Sequence, residues 1–173
     1  PILVSVTVSG AQLFSGNLPN TVKSVLKQTR LPARMLELEL TETMLMQNED
    51  RVVEDLRVLH NMGVKLSVDD FGTGYSSLSL LQKMPVQTIK LDRSFVTGLP
   101  EQHDNVVISR TVCALGKSMN LELVAEGVET AEQKHFLIEA GFDELQGFGL
   151  SRPLPAQQAH QFILACSRQK TWA

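Results

Sequence analysis

The sequence predicts an α/β fold in which about six consecutive βα units build a parallel sheet that curves toward a barrel, and three observations carry that reading. Short apolar runs alternate with helical patterns along all 173 residues, which is how βα units with a parallel sheet read. Each of five proposed strands has one oily face and one polar face, whereas strands covered by helices on both sides read as nearly unbroken apolar runs. Chemistry-bearing residues fall at the C-terminal ends of several strands, the rim where a closed barrel keeps its reactive groups.

The expected strands, in order, are Ile2 to Val8, Leu36 to Leu40, Lys65 to Asp70, Thr88 to Asp92, Leu121 to Glu126 and a short one at Glu144 to Gln146. Between them lie helices with clear marks. Val52, Leu56 and Leu59 recur at i, i+4, i+7 before Gly63, and Ile108, Val112, Leu115 and Met119 keep the same rhythm. Thr130-Ala-Glu-Gln133 is a capping box, followed by Phe136, Leu137 and a stop at Gly141, and a last helix runs from about Pro155 to Ser167. The charge-rich stretch Asn48 to Arg57 reads as the solvated face of its helix. No linker or repeat interrupts the series, so residues 1–173 are expected to form one domain.

A period of two assigns the faces. Ile2, Val4, Val6 and Val8 oppose Ser5 and Thr7; Leu36, Leu38 and Leu40 oppose Glu37 and Glu39; Leu66 and Val68 oppose Ser67 and Asp69. Ile89 and Leu91 oppose Thr88, Lys90 and Asp92, and Leu123 and Ala125 oppose Glu122, Val124 and Glu126. The oily faces belong against helices and the polar faces in a lumen. Six units are two short of the eight in a (β/α)8, or TIM, barrel, and the chain is short of the roughly 250 residues typical of that fold. Because the sequence opens at Pro1 inside an apolar run, the expectation is a modified (β/α)8 barrel truncated at its N-terminus, with two strands lying upstream. Open sheet edges predict self-association.

Bulk properties bound the function. With 43% hydrophobic and 20% charged residues, the chain is long enough for a substantial core and is not disordered. A formal net charge of -3 gives no basic footprint for DNA, although a small anionic ligand held through metal ions leaves none. Cys113 and Cys166 lack metal-type spacing and read as buried thiols of a reducing compartment. No apolar stretch reaches the ~20 residues of a membrane span, and a cytoplasmic location is expected, with no direct membrane insertion by this domain.

Thr7, Glu39, Asp69, Lys90, Asp92 and Glu126 share the rim. Carboxylates converging from several strands repel one another unless a divalent cation compensates. Oxygen ligands suit Mg²⁺ or Mn²⁺ rather than zinc, and two ions share the site if Asp69 bridges them and Asp70 reaches the second. Such a centre activates water and stabilises the oxyanions of an in-line attack on phosphorus, with Lys90 orienting that water or neutralising developing charge. The chemistry points to phosphodiester hydrolysis.

Five motifs then carry a resemblance. Glu39-Leu-Thr-Glu42, Asp69-Asp-Phe-Gly-Thr-Gly-Tyr-Ser-Ser-Leu78, Ile89-Lys-Leu-Asp92, Val124-Ala-Glu-Gly-Val-Glu129 and Gln146-Gly-Phe-Gly-Leu-Ser-Arg-Pro153 resemble, in order and spacing, the EAL domain family of bacterial cyclic di-GMP phosphodiesterases. The resemblance spans nearly the whole chain and corresponds to the C-terminal two-thirds of the domain, without the strand bearing the Glu of the name-giving motif. It implies metal-dependent hydrolysis of cyclic di-GMP to linear pGpG with two Mg²⁺ or Mn²⁺ ions, often in a homodimer, within a larger signalling protein bearing sensor or cyclase-like domains.

The same resemblance implies the roles of individual residues. Glu39, Asp69, Asp70 and Glu126 are implied metal ligands, Glu126 doubling as base, and Lys90 and Gln146 hold the water or the metal shell. Glu42 braces the loop from Asp70 to Leu78, in which Gly72 and Gly74 allow the fold-back and Tyr75 packs; Asp92 and Glu129 support the site. One position departs: Thr7 stands where the family has a metal-binding Asn, a shorter ligand that reaches a metal through water. With the upstream strands the domain is expected to be an enzyme; as the bare chain it is expected to be inactive. The alternative is a catalytically silent receptor for the dinucleotide, favoured by Thr7 and the missing strands. A third reading, an unrelated Mg²⁺-dependent lyase, explains the rim but not the motif from Asp69 to Leu78.

Overall fold

The structure is a computed structural model that describes residues 2–45, 49–74 and 78–169. Strand β1 (Val4–Thr7) leads through α1 (Gly10–Phe14), α2 (Leu18–Thr29) and a 3-10 turn at Ala33–Met35 to β2 (Leu36–Thr41). Next come α3 (Glu42–Leu45), α4 (Glu49–Asn61), β3 (Lys65–Phe71), α5 (Leu78–Lys83), β4 (Thr88–Leu91), α6 (Arg93–Val96) and α7 (His103–Ser118). The series ends with β5 (Glu122–Ala125), α8 (Ala131–Ala140), β6 (Glu144–Leu145) and α9 (Ala156–Gln169). The strands form one sheet in the order β1 to β6, and every pair is parallel. Such an order, with helical segments crossing between neighbours, is a curved half-barrel: the α/β architecture of a truncated TIM-like barrel.

Local signals account for the elements. Val52, Leu56 and Leu59 are fully buried on one side of α4, a single apolar stripe. At α8, Thr130 accepts from the Gln133 amide while the Gln133 side chain reaches back to the Thr130 amide, and Gly141 ends the helix in the left-handed conformation. Leu38, Leu40, Leu66, Val68, Ile89, Leu91, Leu123 and Ala125, the oily faces of β2 to β5, make the centre of the core. Each fully buried leucine contributes roughly 1.5–3 kcal/mol of transfer free energy, so this layer holds the sheet against its helices. The opposite faces are thereby turned into the lumen.

Three expectations differ from the structure. The first strand is shorter than Ile2 to Val8, and its apolar face is not covered: Val4 and Val6 are 44% and 46% exposed. Among the described residues β1 stands at a sheet edge and pairs with β2 alone, and an edge strand shares its neighbours' alternation without sharing their cover. Cys113 is buried, donating its thiol to the Ala140 carbonyl, but Cys166, on the exposed α9, is only half-buried. Finally, β3 runs one residue past the expected end at Asp70, to Phe71. Asn48, Tyr75, Ser76 and Ser77 lie outside the described residues. No described helix is long and apolar enough to cross a membrane.

Candidate active site

The rim is organised around Lys90. Its side chain is only 5% exposed and is directed from β4 into the lumen, where Nζ donates to Glu39 Oε1 of β2 at 2.8 Å. It contacts Glu126 Oε1, just past β5, still more closely, and lies 3.6 Å from Asp69 Oδ1 of β3. Four strands thus send one cation and three carboxylates to a single point. The backbone makes this unavoidable: register pairs Glu39 with Ser67 and Thr41 with Asp69, Lys90 with Val124, and the Glu126 amide donates to Leu91 O.

Charge is distributed unevenly among these groups. Burial pulls the Lys90 ammonium down, but hydrogen bonds with Glu126 and Glu39 and the fields of Glu126 and Asp69 override it, leaving its proton held more tightly than usual. Burial raises the Glu126 pKa; Lys90 opposes the rise, and the charges of Asp69 and Glu39 add to it. Burial also raises Asp70, helped by Asp69 and Asp92 and opposed by Lys90. Carboxylates whose pKa values are raised by burial and by one another take up a compensating cation readily.

Asp70 occupies the left-handed region at φ 54°, a conformation that costs a non-glycine residue free energy and clusters at functional sites. The twist lets consecutive acids diverge from one strand end. Phe71 then returns to the core, and the ladder to β4 shifts register between Val68 and Phe71. The chain turns at once: Thr73 donates through its amide and hydroxyl to Asp70 O, and Glu42 Oε2 accepts from the amides of Gly72 and Gly74 at 3.0 and 3.3 Å. Close approach accounts for both glycines. Gly72 has φ 97°, and a side chain there would meet the Phe95 ring; a Cβ on Gly74 would come within 2.9 Å of Glu42 Oε1.

The other expected residues are placed as follows. Thr7 donates its hydroxyl to Glu39 Oε2 at 2.9 Å, so it orients the carboxylate that Lys90 holds from the other side. Asp92 accepts from the Ser94 amide and caps α6, close enough to Asp70 to raise it. Gln146 follows β6 and lines the lumen with Lys90. Glu129 is exposed, between β5 and α8, and its amide donates to Gln133 Oε1. The structure therefore joins Thr7, Glu39, Asp69, Lys90 and Glu126 in one contact network, with Asp70 and Glu42 beside it and Glu129 outside it.

The donor set suits a hard divalent cation. Asp69 Oδ1 is buried and makes no hydrogen bond among the described residues, with Lys90 Nζ only in ion-pair range at 3.6 Å, and a carboxylate oxygen without a hydrogen-bond donor is a ready ligand. No three acids, histidines or cysteines among the described residues stand close enough to clasp a bare ion as they are placed; Lys90 stands between the carboxylates instead. Sequence reasoning found this rim but overlooked the rung below it. There Ser5 Oγ donates to Glu37 Oε2 at 2.6 Å, and Lys65 pairs with Glu122 at 3.4 Å. The same period of two, read one step toward the strand N-termini, identifies those residues.

Comparison with known proteins identifies the family and the fold. The EAL domain model matches residues 1–153. The chain is 41% identical over 162 residues to the cyclic di-GMP phosphodiesterase NbdA of Pseudomonas aeruginosa, covering 94% of this chain and 21% of that protein. Among solved structures, the EAL domain of Mycobacterium smegmatis DcpA superposes with a TM-score of 0.90 at 39% identity, over 95% of this chain and 74% of that one. The PaMucR phosphodiesterase in its c-di-GMP complex gives 0.87 at 41% identity, over 91% and 70%. The chain spans about a fifth of the length of the curated relatives it matches. The family match over residues 1–153 and the shared parallel half-barrel show that this chain belongs to the EAL domain family.

Proposed function

We propose that this chain forms the metal-binding side of a phosphodiesterase domain that hydrolyses cyclic di-GMP to linear pGpG within a larger bacterial signalling protein. The observation that carries the reading is the meeting of Glu39, Asp69 and Glu126 from three strands at one buried ammonium, Lys90 Nζ. The names of NbdA and of the PaMucR complex support the substrate. Glu39, Asp69, Asp70 and Glu126 would hold two Mg²⁺ or Mn²⁺ ions. When bound, these ions supply the positive charge that polarises the phosphodiester and lowers the pKa of water.

The protein's own groups have separate tasks. Lys90 keeps the carboxylates from spreading and presents an ammonium to the developing phosphoryl charge. Glu126, with a pKa raised by burial, takes a proton from attacking water in this reading. Gln146 orients that water by its amide. Glu42 fixes the loop after Asp70, and with it the direction of the Asp70 carboxylate. Self-association, through the loop after Asp70 and the exposed edge at β1, and a cytoplasmic setting belong to the same proposal.

A second reading, a silent receptor for the dinucleotide, is favoured by the Thr7 hydroxyl on Glu39 Oε2, which satisfies an oxygen a metal would otherwise take. Turnover separates the two. In the longer protein, cyclic di-GMP with Mg²⁺ or Mn²⁺ is expected to yield pGpG by chromatography, and Glu39→Ala is expected to abolish the product with an unchanged circular dichroism spectrum. Tight binding of the dinucleotide without product in either metal assigns the domain to the receptors.

A further inference from the structure

Beneath the rim, the lumen contains a second polar chamber that the phosphodiesterase reading does not use. It is a cavity of about 160 Å³ whose lining includes Ser5, Glu37, Thr88, Glu122 and Glu144, with Lys90 and Gln146 at its upper end. Glu37 is 5% exposed, and its carboxylate receives the Ser5 hydroxyl but no cation among the described residues. Burying an ionised carboxylate without a counter-charge is costly. The available ammonium, Lys65, pairs with Glu122 instead, and that pair is well exposed.

A second, independent feature points to an occupant. Thr88 Oγ1 is buried in a residue only 2% exposed, lines this cavity, and has no hydrogen-bond partner among the described residues. Ser67, its register partner on β3, leaves its hydroxyl equally unpartnered. Buried hydroxyls in that condition are satisfied by water or an ion. Three acids line the chamber against one ammonium, Lys90, which is engaged by the rim carboxylates, and that excess of negative charge favours a cation. The acids are too far apart to clasp a bare ion, while the cavity has the volume of about five water molecules.

We propose that this lower chamber binds a hydrated divalent cation, held by Glu37, Glu144 and Thr88 largely through its water, at a site separate from the rim. The carboxylate and hydroxyl oxygens that Glu37, Glu144 and Thr88 bring to the lining, and their loose spacing, suit Ca²⁺ or Mg²⁺. The cation neutralises Glu37 from below and stiffens the strands on which the rim residues stand.

The experiment is equilibrium dialysis with CaCl₂ and, separately, MgCl₂ in a KCl buffer, using the 173-residue chain with Asp69→Asn and Asp70→Asn to disable the rim. About one saturable ion per chain is expected to remain. Adding Glu37→Gln to that background is expected to weaken binding roughly tenfold, and Thr88→Val to weaken it less. Circular dichroism verifies the fold of each variant; if Glu37→Gln does not fold, Thr88→Val and Glu144→Gln decide. Loss of all saturable binding in the Asp69→Asn, Asp70→Asn background, or binding unchanged by every lower-chamber substitution that folds, overturns the proposal. Because these measurements need neither cyclic di-GMP nor turnover, they stand apart from the fate of the phosphodiesterase reading.

Discussion

Two rungs of one lumen carry nearly the same chemistry and solve its electrostatics differently. On the upper rung a β1 hydroxyl, Thr7, donates to a β2 carboxylate, Glu39; on the lower rung Ser5 donates to Glu37 in the same way. The register between β1 and β2 repeats the arrangement one strand period apart. The cations break the symmetry. Lys90 is buried among three carboxylates, whereas Lys65 is 40% exposed and, among the described residues, forms an ion pair with Glu122 alone. An acid cluster gathered around a buried ammonium is pre-assembled for exchanging that charge with an incoming cation, while one paired at its margin leaves its deepest carboxylate uncompensated.

Removing each lysine is the largest test of that difference. Lys90→Met leaves buried carboxylates facing one another and is expected to cost about 3–5 kcal/mol in urea denaturation, the range for breaking a buried pair from one side. Lys65→Met removes an exposed pair and is expected to cost under about 1 kcal/mol. Adding MgCl₂ should recover part of the loss in Lys90→Met, since the divalent ion takes over the neutralisation. Equal costs for the two substitutions would end the distinction between the rungs.

The hydroxyls provide a finer test. Ser5→Ala takes away the hydroxyl donor of Glu37, a buried acceptor, and is expected to cost about 1–3 kcal/mol. Thr7→Val removes a comparable bond, but Glu39 keeps Lys90, and a loss of about 1 kcal/mol is expected. A larger effect at Thr7 than at Ser5 would mean that Lys90 does not carry the upper rung.

How much of this was legible depended on whether the cause was local. The alternation of Leu38 and Leu40 with Glu37 and Glu39, or of Leu66 and Val68 with Ser67 and Asp69, depends only on side-chain direction along a strand. Faces, rim and sheet order could therefore be read from single segments, and strand limits to within two residues. The cover over Val4 and Val6 depends on what packs outside β1, which no local pattern encodes. The left-handed turn at Asp70 and the position of Lys90 among three strands arise from sheet curvature and register. Sequence placed Lys90 beside the acids without showing that it holds them together. Glu37 was assigned to the correct face, yet its burial and missing counter-charge required the neighbouring strands.

The smallest effect is a pH dependence confined to the lower rung. Burial raises the Glu144 pKa above its ordinary value; Glu122 and Glu37 add to the rise, and Lys65 opposes it. The folded chain therefore binds the Glu144 proton at a pH where the unfolded chain has released it. Between the ordinary and the raised value the native state holds more protons, so stability falls as pH climbs through that window and the loss is complete above the folded pKa. Glu144→Gln abolishes the titration. Urea midpoints measured across the mildly acidic range in KCl, without divalent ions, should decline less steeply with rising pH in Glu144→Gln than in the natural sequence. Glu144 is exposed, so the difference will be a small fraction of that seen at Lys90. An identical slope in both proteins would show that solvent at the β6 edge screens the acids completely, and that the lower rung holds its charge apart by hydration alone.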